Sequence, residues 1–254
     1  MLVGGIAAGA FGSILGLGGG LLIVPLLTLV FGLDLREAVG VSLVSVIMTS
    51  SAAAGVYLER HVADLRLGMR LELFTAIGAL VGGSIAFLID QRFLSILFAV
   101  LLGYVAVTMA RGPREAASDD GVEAHRVEDA PGRIRNFRWG VVGATGAGLA
   151  SALLGIGGGI VKVPLMHLAM GVPLRVATAT SNLMVGITAA ASAVIYLAHG
   201  EIDPYVAGPT AIGVFLGASL GSRAAHRIDL RVLRWLFVVV LLYTATQMLM
   251  RAMR

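Results

Sequence analysis

The decapeptide GLGGGLLIVP at 16–25 returns as GIGGGIVKVP at 155–164, 139 positions later. Each copy lies inside a long apolar segment. Three consecutive glycines cost a helix about 1 kcal/mol each relative to alanine. The proline five positions after the last glycine has no N–H and disfavours a helical residue before it. An uninterrupted apolar helix has no use for these features twice. Each copy therefore reads as a deliberate break in the backbone.

Composition supplies the setting. The chain is 57% hydrophobic and 13% charged, with a mean hydropathy of +0.91. Apolar segments of membrane-spanning length run near 2–31, 38–58, 67–89, 93–110, 139–170, 176–198, 205–222 and 232–250. In lipid the backbone must bond internally, so these segments are expected to be helical. The period-two alternation of a membrane barrel is absent. An all-α polytopic membrane protein follows, with the lipid bilayer as its first partner. The basic balance, with a pI near 10.0, fits arginines that flank apolar segments. It does not suggest nucleic acid, because no aromatics are interleaved with them. The chain has no cysteine, which removes disulfide and thiol chemistry. No Lys or Arg precedes Arg36, so no cleaved signal peptide is expected.

The 139-residue offset extends far beyond the glycines. Without a gap it pairs Arg36 with Arg175, Ser42 with Ser181, Tyr57 with Tyr196 and Asp64 with Asp203. It continues through Gly78 and Gly217, Gly82 and Gly221, Asp90 and Asp229, and Phe98 and Phe237. Shared apolar composition does not produce matched Asp, Arg and Tyr in one register, so the chain reads as two homologous repeats. Residues 1–111 form the first and 138–254 the second. The stretch 112–137 carries both charge signs and two prolines and reads as a solvated linker.

Arginine placement orients the halves. If all eight apolar segments crossed once, eleven arginines would face one side and seven the other. If each glycine-broken segment turns back to the face it entered from, the split becomes fourteen against four. The positive-inside rule favours the second arrangement, with the linker cytoplasmic. The expected architecture is then two inverted repeats, each a re-entrant broken segment plus three transmembrane helices. Such repeats, with discontinuous helices near the midplane, recur in secondary transporters.

Where chemistry could reside follows from the breaks. A half-helix opening after Gly18, Gly19 and Gly20, and again after Gly157, Gly158 and Gly159, starts with amides that lack intrahelical partners. With the helix dipole they suit an anion; the competing reading is that the glycines only allow close packing. Lys162 is the only lysine and its counterpart is Ile23. A membrane lysine usually faces a cavity and works there, although it can also snorkel to an interface. Ser42, Ser181 and Asn182 could donate hydrogen bonds to an oxyanion or join neighbouring helices. Gly78/Gly82 and Gly217/Gly221 have small-xxx-small spacing and suggest helix packing. Trp139 and Trp235, beside arginines, read as interface anchors. Glu72 is the nearest candidate for an intramembrane proton carrier and is expected close to an interface. No catalytic, metal-binding or cofactor constellation is visible: HExxH, a GxSxG elbow and a Walker loop are all missing.

A chain with these two glycine–proline motifs, followed by Arg36/Arg175 and Ser42/Ser181, resembles the TauE/SafE family of sulfite-exporter-like membrane proteins. The likeness covers nearly all of the chain outside the linker. It implies a transporter of the bacterial cytoplasmic membrane for sulfur-containing oxyanions or organosulfonates. A small anionic substrate, no cofactor and no enzymatic activity are expected; a homo-oligomer is compatible with the sequence. An anion channel is the nearest competitor, and a membrane scaffold or enzyme a more distant one. Export would need no coupling ion, since the membrane potential is worth about 2.3 kcal/mol per charge per 100 mV to a departing anion. Uptake would need one.

Overall fold

The computed structural model describes residues 1–14, 20–59, 63–110, 137–224 and 230–252. The linker expected at 112–137 lies almost wholly outside the described residues, as do Gly18 and Gly19. Every regular element among the described residues is helical. The order is α1 (Leu2–Ile14), α2 (Gly20–Pro25), α3 (Leu35–Glu59), α4 (Leu65–Leu88), α5 (Gln91–Ala110), α6 (Phe137–Leu154), α7 (Gly159–Pro164), α8 (Leu174–Ala198), α9 (Pro204–Ala224) and α10 (Leu230–Ala252). Three of these, at Leu65–Leu88, Gln91–Ala110 and Val176–Ala198, are long and apolar enough to cross a membrane.

The glycines and the prolines do different work. α6 ends at Leu154, and Gly155, Gly157 and Gly158 take φ of 67°, 74° and 76° before α7 begins at Gly159. Side-chain-bearing residues rarely adopt that region, so the turn depends on glycine. The prolines break nothing. Pro25 and Pro164 sit in ordinary helical conformation (φ −58° and −59°), and the chain continues as wider π-helical turns at Leu26–Val30 and Leu165–Ala169. A proline lacks the N–H that the α ladder needs, and the wider turn absorbs the gap. Thr28 Oγ1 then donates to the carbonyls of Val24 (2.9 Å) and Pro25 (3.2 Å).

The limbs of each broken segment lie back against one another. A Cβ built on Gly140 would meet the Met170 side chain, and one on Gly143 the Leu165 side chain. Gly4 stands in the same relation to Leu26 and Phe31. The paired aspartates also have a local role. Asp64 caps α4 by accepting from Leu67 N–H at 2.9 Å, and Asp203 accepts from Tyr205 N–H at 2.8 Å at the start of α9.

Packing crosses between the halves. α1 lies along α9 and α6 along α4; α3 packs on α9 and α8 on α4; α3 meets α8, and α5 meets α10. This pattern is unchanged when each element is exchanged for the one 139 positions away. Glycines set the closest approaches. A Cβ on Gly217 would strike the carbonyl oxygen of Ile6, and one on Gly78 that of Thr145. Gly9 stands likewise against Val214 and Gly148 against Thr75. One buried apolar cluster, including Leu27, Leu43, Phe98, Leu154 and Phe237, runs through both halves. Large apolar side chains such as Leu88, Leu168, Trp139 and Trp235 point outward, as a lipid-facing surface requires.

Gly217→Ala is expected to destabilise the fold by about 1–3 kcal/mol through overpacking. Gly103→Ala, where an added Cβ meets open space, should leave stability unchanged or raise it. Thermal unfolding of the two variants in detergent micelles compares them.

Candidate functional site

The two glycine motifs meet in the interior. A Cβ on Gly20 would lie 3.0 Å from the carbonyl oxygen of Gly155. The Ser42 hydroxyl, fully buried on α3, faces both: it is 2.7 Å from the Gly155 carbonyl and 3.1 Å from the Gly20 carbonyl. Ser42 is thus a strut between the breaks, its proton committed to backbone. Val46, one turn further along α3, touches the built Cβ positions of both Gly20 and Gly157.

The second break is defined by its hydrogen bonds. Gly155 N–H closes α6 on the Ser151 carbonyl (2.8 Å). The new ladder opens with Val161 and Lys162 N–H donating to the Gly158 carbonyl at 3.1 and 3.0 Å. The amides of Gly159 and Ile160 therefore precede the ladder of the helix Gly159–Ala169. Two serines stand beside the break. Ser181 Oγ on α8 would lie 3.7 Å from a Cβ on Gly159, and the Ser151 Cβ on α6 3.3 Å from one on Gly158. Both serines are buried, at 2% and 0% exposure, and neither hydroxyl has a hydrogen-bond partner among the described residues. A buried polar group left unpaired costs about 1–3 kcal/mol. Two such serines stand beside one helix start.

Asn182 is turned differently. Its amide donates to the Thr178 carbonyl of its own helix (3.1 Å), and its backbone carbonyl accepts from Ser50. It is not brought to the break.

Lys162 neither lies bare in a cavity nor reaches a surface. It is 1% exposed, and its Nζ contacts Glu72 Oε2 at 3.2 Å and Thr188 Oγ1 at 2.5 Å. Thr188 in turn donates to Glu72 Oε1 at 2.7 Å, which closes a triangle. Helical side chains lean towards the N-terminus, which carries the ammonium back towards the break. On α8, Ser181, Val185 and Thr188 form one stripe. Val185 faces Gly157 and Gly159, so the triangle lies about one helical turn beyond the break, opposite Ser181. Glu72 departs from the expected interfacial position. It is 5% exposed in the interior, because α4 crosses α6 and α8 with its Leu71, Glu72 and Thr75 face inward. Sequence reasoning also passed over Ser151 and Thr188. Their hydroxyls look like any others in an apolar helix; only the crossing of helices singles them out.

A surface cleft of about 340 Å³ lined by Asp34, Asp90, Gln91 and Arg92 includes none of the residues at the break. Among the described residues no group of His, Cys, Asp and Glu could hold a metal ion.

The family described as "Sulfite exporter TauE/SafE" matches residues 1–248. A "Probable membrane transporter protein" of Xylella fastidiosa is 31% identical, covering 89% of this chain and 84% of its own. The "Probable membrane transporter protein YunE" of Bacillus subtilis is 24% identical, covering 98% and 96%. One from Methanocaldococcus jannaschii is 26% identical over 92% and 88%. No solved structure matches the chain.

Removing one member of a buried ion pair strands the other at a cost of about 3–5 kcal/mol. Lys162→Ile alone should therefore lower the unfolding midpoint strongly. The double variant Lys162→Ile/Glu72→Ala carries the residues found 139 positions away, Ile23 and Ala211, both buried. It should regain most of the loss, and a double-mutant cycle of thermal stability in detergent reads the coupling.

Proposed function

This chain belongs to the TauE/SafE sulfite exporter family, a family of membrane transporters, and on that premise we propose that it carries small sulfur oxyanions. Sulfite or an organosulfonate would be held at the glycine break before Gly159. The observation that carries the reading is the pair of buried serines, Ser151 and Ser181, beside the break, whose hydroxyls have no hydrogen-bond partner among the described residues. Hydroxyl and amide donors recognise an oxyanion without themselves bringing charge. Lys162, whose ammonium lies at Thr188 about two turns of α8 from Ser181, supplies the balancing positive charge. Gly157, Gly158 and Gly159 let the backbone approach, while Ser42 holds Gly20 of the first motif against the second.

The contact pattern, unchanged on exchanging the halves, supports repeats at 1–111 and 138–254 that are inverted in the membrane. The fold-back of Met170 onto Gly140 and Leu165 onto Gly143 supports a re-entrant hairpin in each. The α2 and α7 limbs, at 11 residues each with their π turns, reach about 16 Å, roughly half the hydrocarbon thickness. The breaks would then meet near the midplane, and rocking of the halves would give alternating access in a bacterial inner membrane. Uncoupled export of an anion would run down the potential.

Two measurements test this. In liposomes, Ser151→Ala and Ser181→Ala should each raise KM for the transported anion about ten-fold or more, since a hydrogen bond to a charged group is worth about 1.5–3 kcal/mol. The assay is a flux panel of sulfite, sulfate, thiosulfate and sulfonates, and unaltered KM values in both variants would remove the site. The native chain has no cysteine, so Ala63→Cys and Ile202→Cys, 139 positions apart, can be labelled singly. They should react from opposite faces of the membrane; reaction from one face rules out inversion.

A further inference from the structure

The Lys162–Glu72–Thr188 triangle has a feature that anion binding alone does not require: the lysine is already neutralised. Lys162 Nζ is within 3.2 Å of Glu72 and 2.5 Å of Thr188, and Thr188 completes the ring to Glu72. At the equivalent place 139 positions away stand Ile23 and Ala211, buried and apolar. The fold therefore accommodates this crossing without charge. A buried ion pair is often no more stable than apolar residues of similar volume, so stability does not account for it.

We propose that Glu72 is a proton-binding group that couples anion binding to proton uptake. The inference rests on the anion reading of the glycine break and adds a coupling ion to it. An oxyanion arriving at the break beside Ser181 and Ser151 competes with Glu72 for the Lys162 ammonium, which lies at Thr188, about two turns of α8 from Ser181. As the ammonium moves towards the anion, the Glu72 carboxylate loses its counter-charge inside the protein. A stranded buried carboxylate is costly, and the site relieves it by taking up a proton. The proton comes from water, bonds to a Glu72 carboxylate oxygen, and leaves again when the anion departs and Lys162 returns. No bond of the substrate changes. One monoanion and one proton enter the site together, so the loaded carrier has the same net charge as the empty one.

No other group takes over that role. α4 packs against α6 and α8. Along α6 the only charged residue is Arg138, which is exposed; on α8 it is Arg175, 13 residues before Thr188. Arg66 and Arg70 on α4 itself point outward. Among the described residues, the groups facing Glu72 are Lys162 from α7 and Thr188 from α8.

The test uses purified full-length protein and two anions that stay ionised throughout the working pH range, thiosulfate and methanesulfonate. Sulfite titrates near neutrality and would carry protons of its own. Binding is followed by calorimetry in buffers of different ionisation enthalpy. The native protein should take up about one proton per anion, with affinity falling about ten-fold per pH unit on the alkaline side. Glu72→Gln removes the competitor for Lys162, so it should bind about ten-fold more tightly, without linked uptake and with a flat pH profile. General damage to the fold would weaken binding instead. Proton-free binding by the native protein overturns the coupling and leaves the anion site standing, as does a Glu72→Gln variant that binds with unchanged linkage. Failure of native protein to bind sulfite, thiosulfate and methanesulfonate alike overturns the anion reading, and the coupling with it.

Discussion

A helix that stops inside an apolar protein leaves amides and carbonyls that lipid cannot bond. The molecule is arranged around the stop at residues 155–158. It brings Gly20 of the first motif to it, so that the Gly20 and Gly155 carbonyls share the Ser42 hydroxyl, and it packs helices of the two halves across them. The approach of α6 to α4 and of α1 to α9 is close enough that a single Cβ at Gly78 or Gly217 would meet backbone oxygen. Tight crossing keeps the broken backbone out of lipid, and glycine makes the crossing possible. The prolines then widen each continuing helix into a π turn instead of ending it.

On this nearly matched framework the two halves differ where charge is concerned. Lys162 and Glu72 come from different halves, yet they meet in the interior with Thr188 between them. Their counterparts, Ile23 and Ala211, show the apolar solution to the same crossing. The substitution of a charge pair for an apolar one, near a helix start with two hydroxyls that lack partners among the described residues, concentrates the polar chemistry on one side of the meeting point.

Much of this framework could be read in the chain. The helical class followed from apolar segments too long and too poor in charge for any other structure. The onset of α7 at Gly159 was legible because three glycines cannot be spent inside a helix without reason. Packing at Gly78 and Gly217 was legible from spacing alone. Less visible was the division of labour between glycine and proline, since the π turn depends on how the chain continues beyond Pro25 and Pro164. Lys162 was conspicuous as a lone lysine, but its partner was not.

The order of residues determined what is periodic or local: helical segments, where they break, the repeat at 139 positions, and the capping aspartates at 64 and 203. Tertiary structure decided what depends on distance between remote elements. Glu72 and Lys162 are 90 positions apart, and nothing in either neighbourhood names the other; the α4 crossing places them 3.2 Å apart. Ser151 and Ser181 stand out in the same way, because only packing determines which hydroxyls find a backbone carbonyl among the described residues and which do not. Local preference is encoded residue by residue, whereas a buried charge or an unpaired donor acquires meaning only from what the fold sets opposite it.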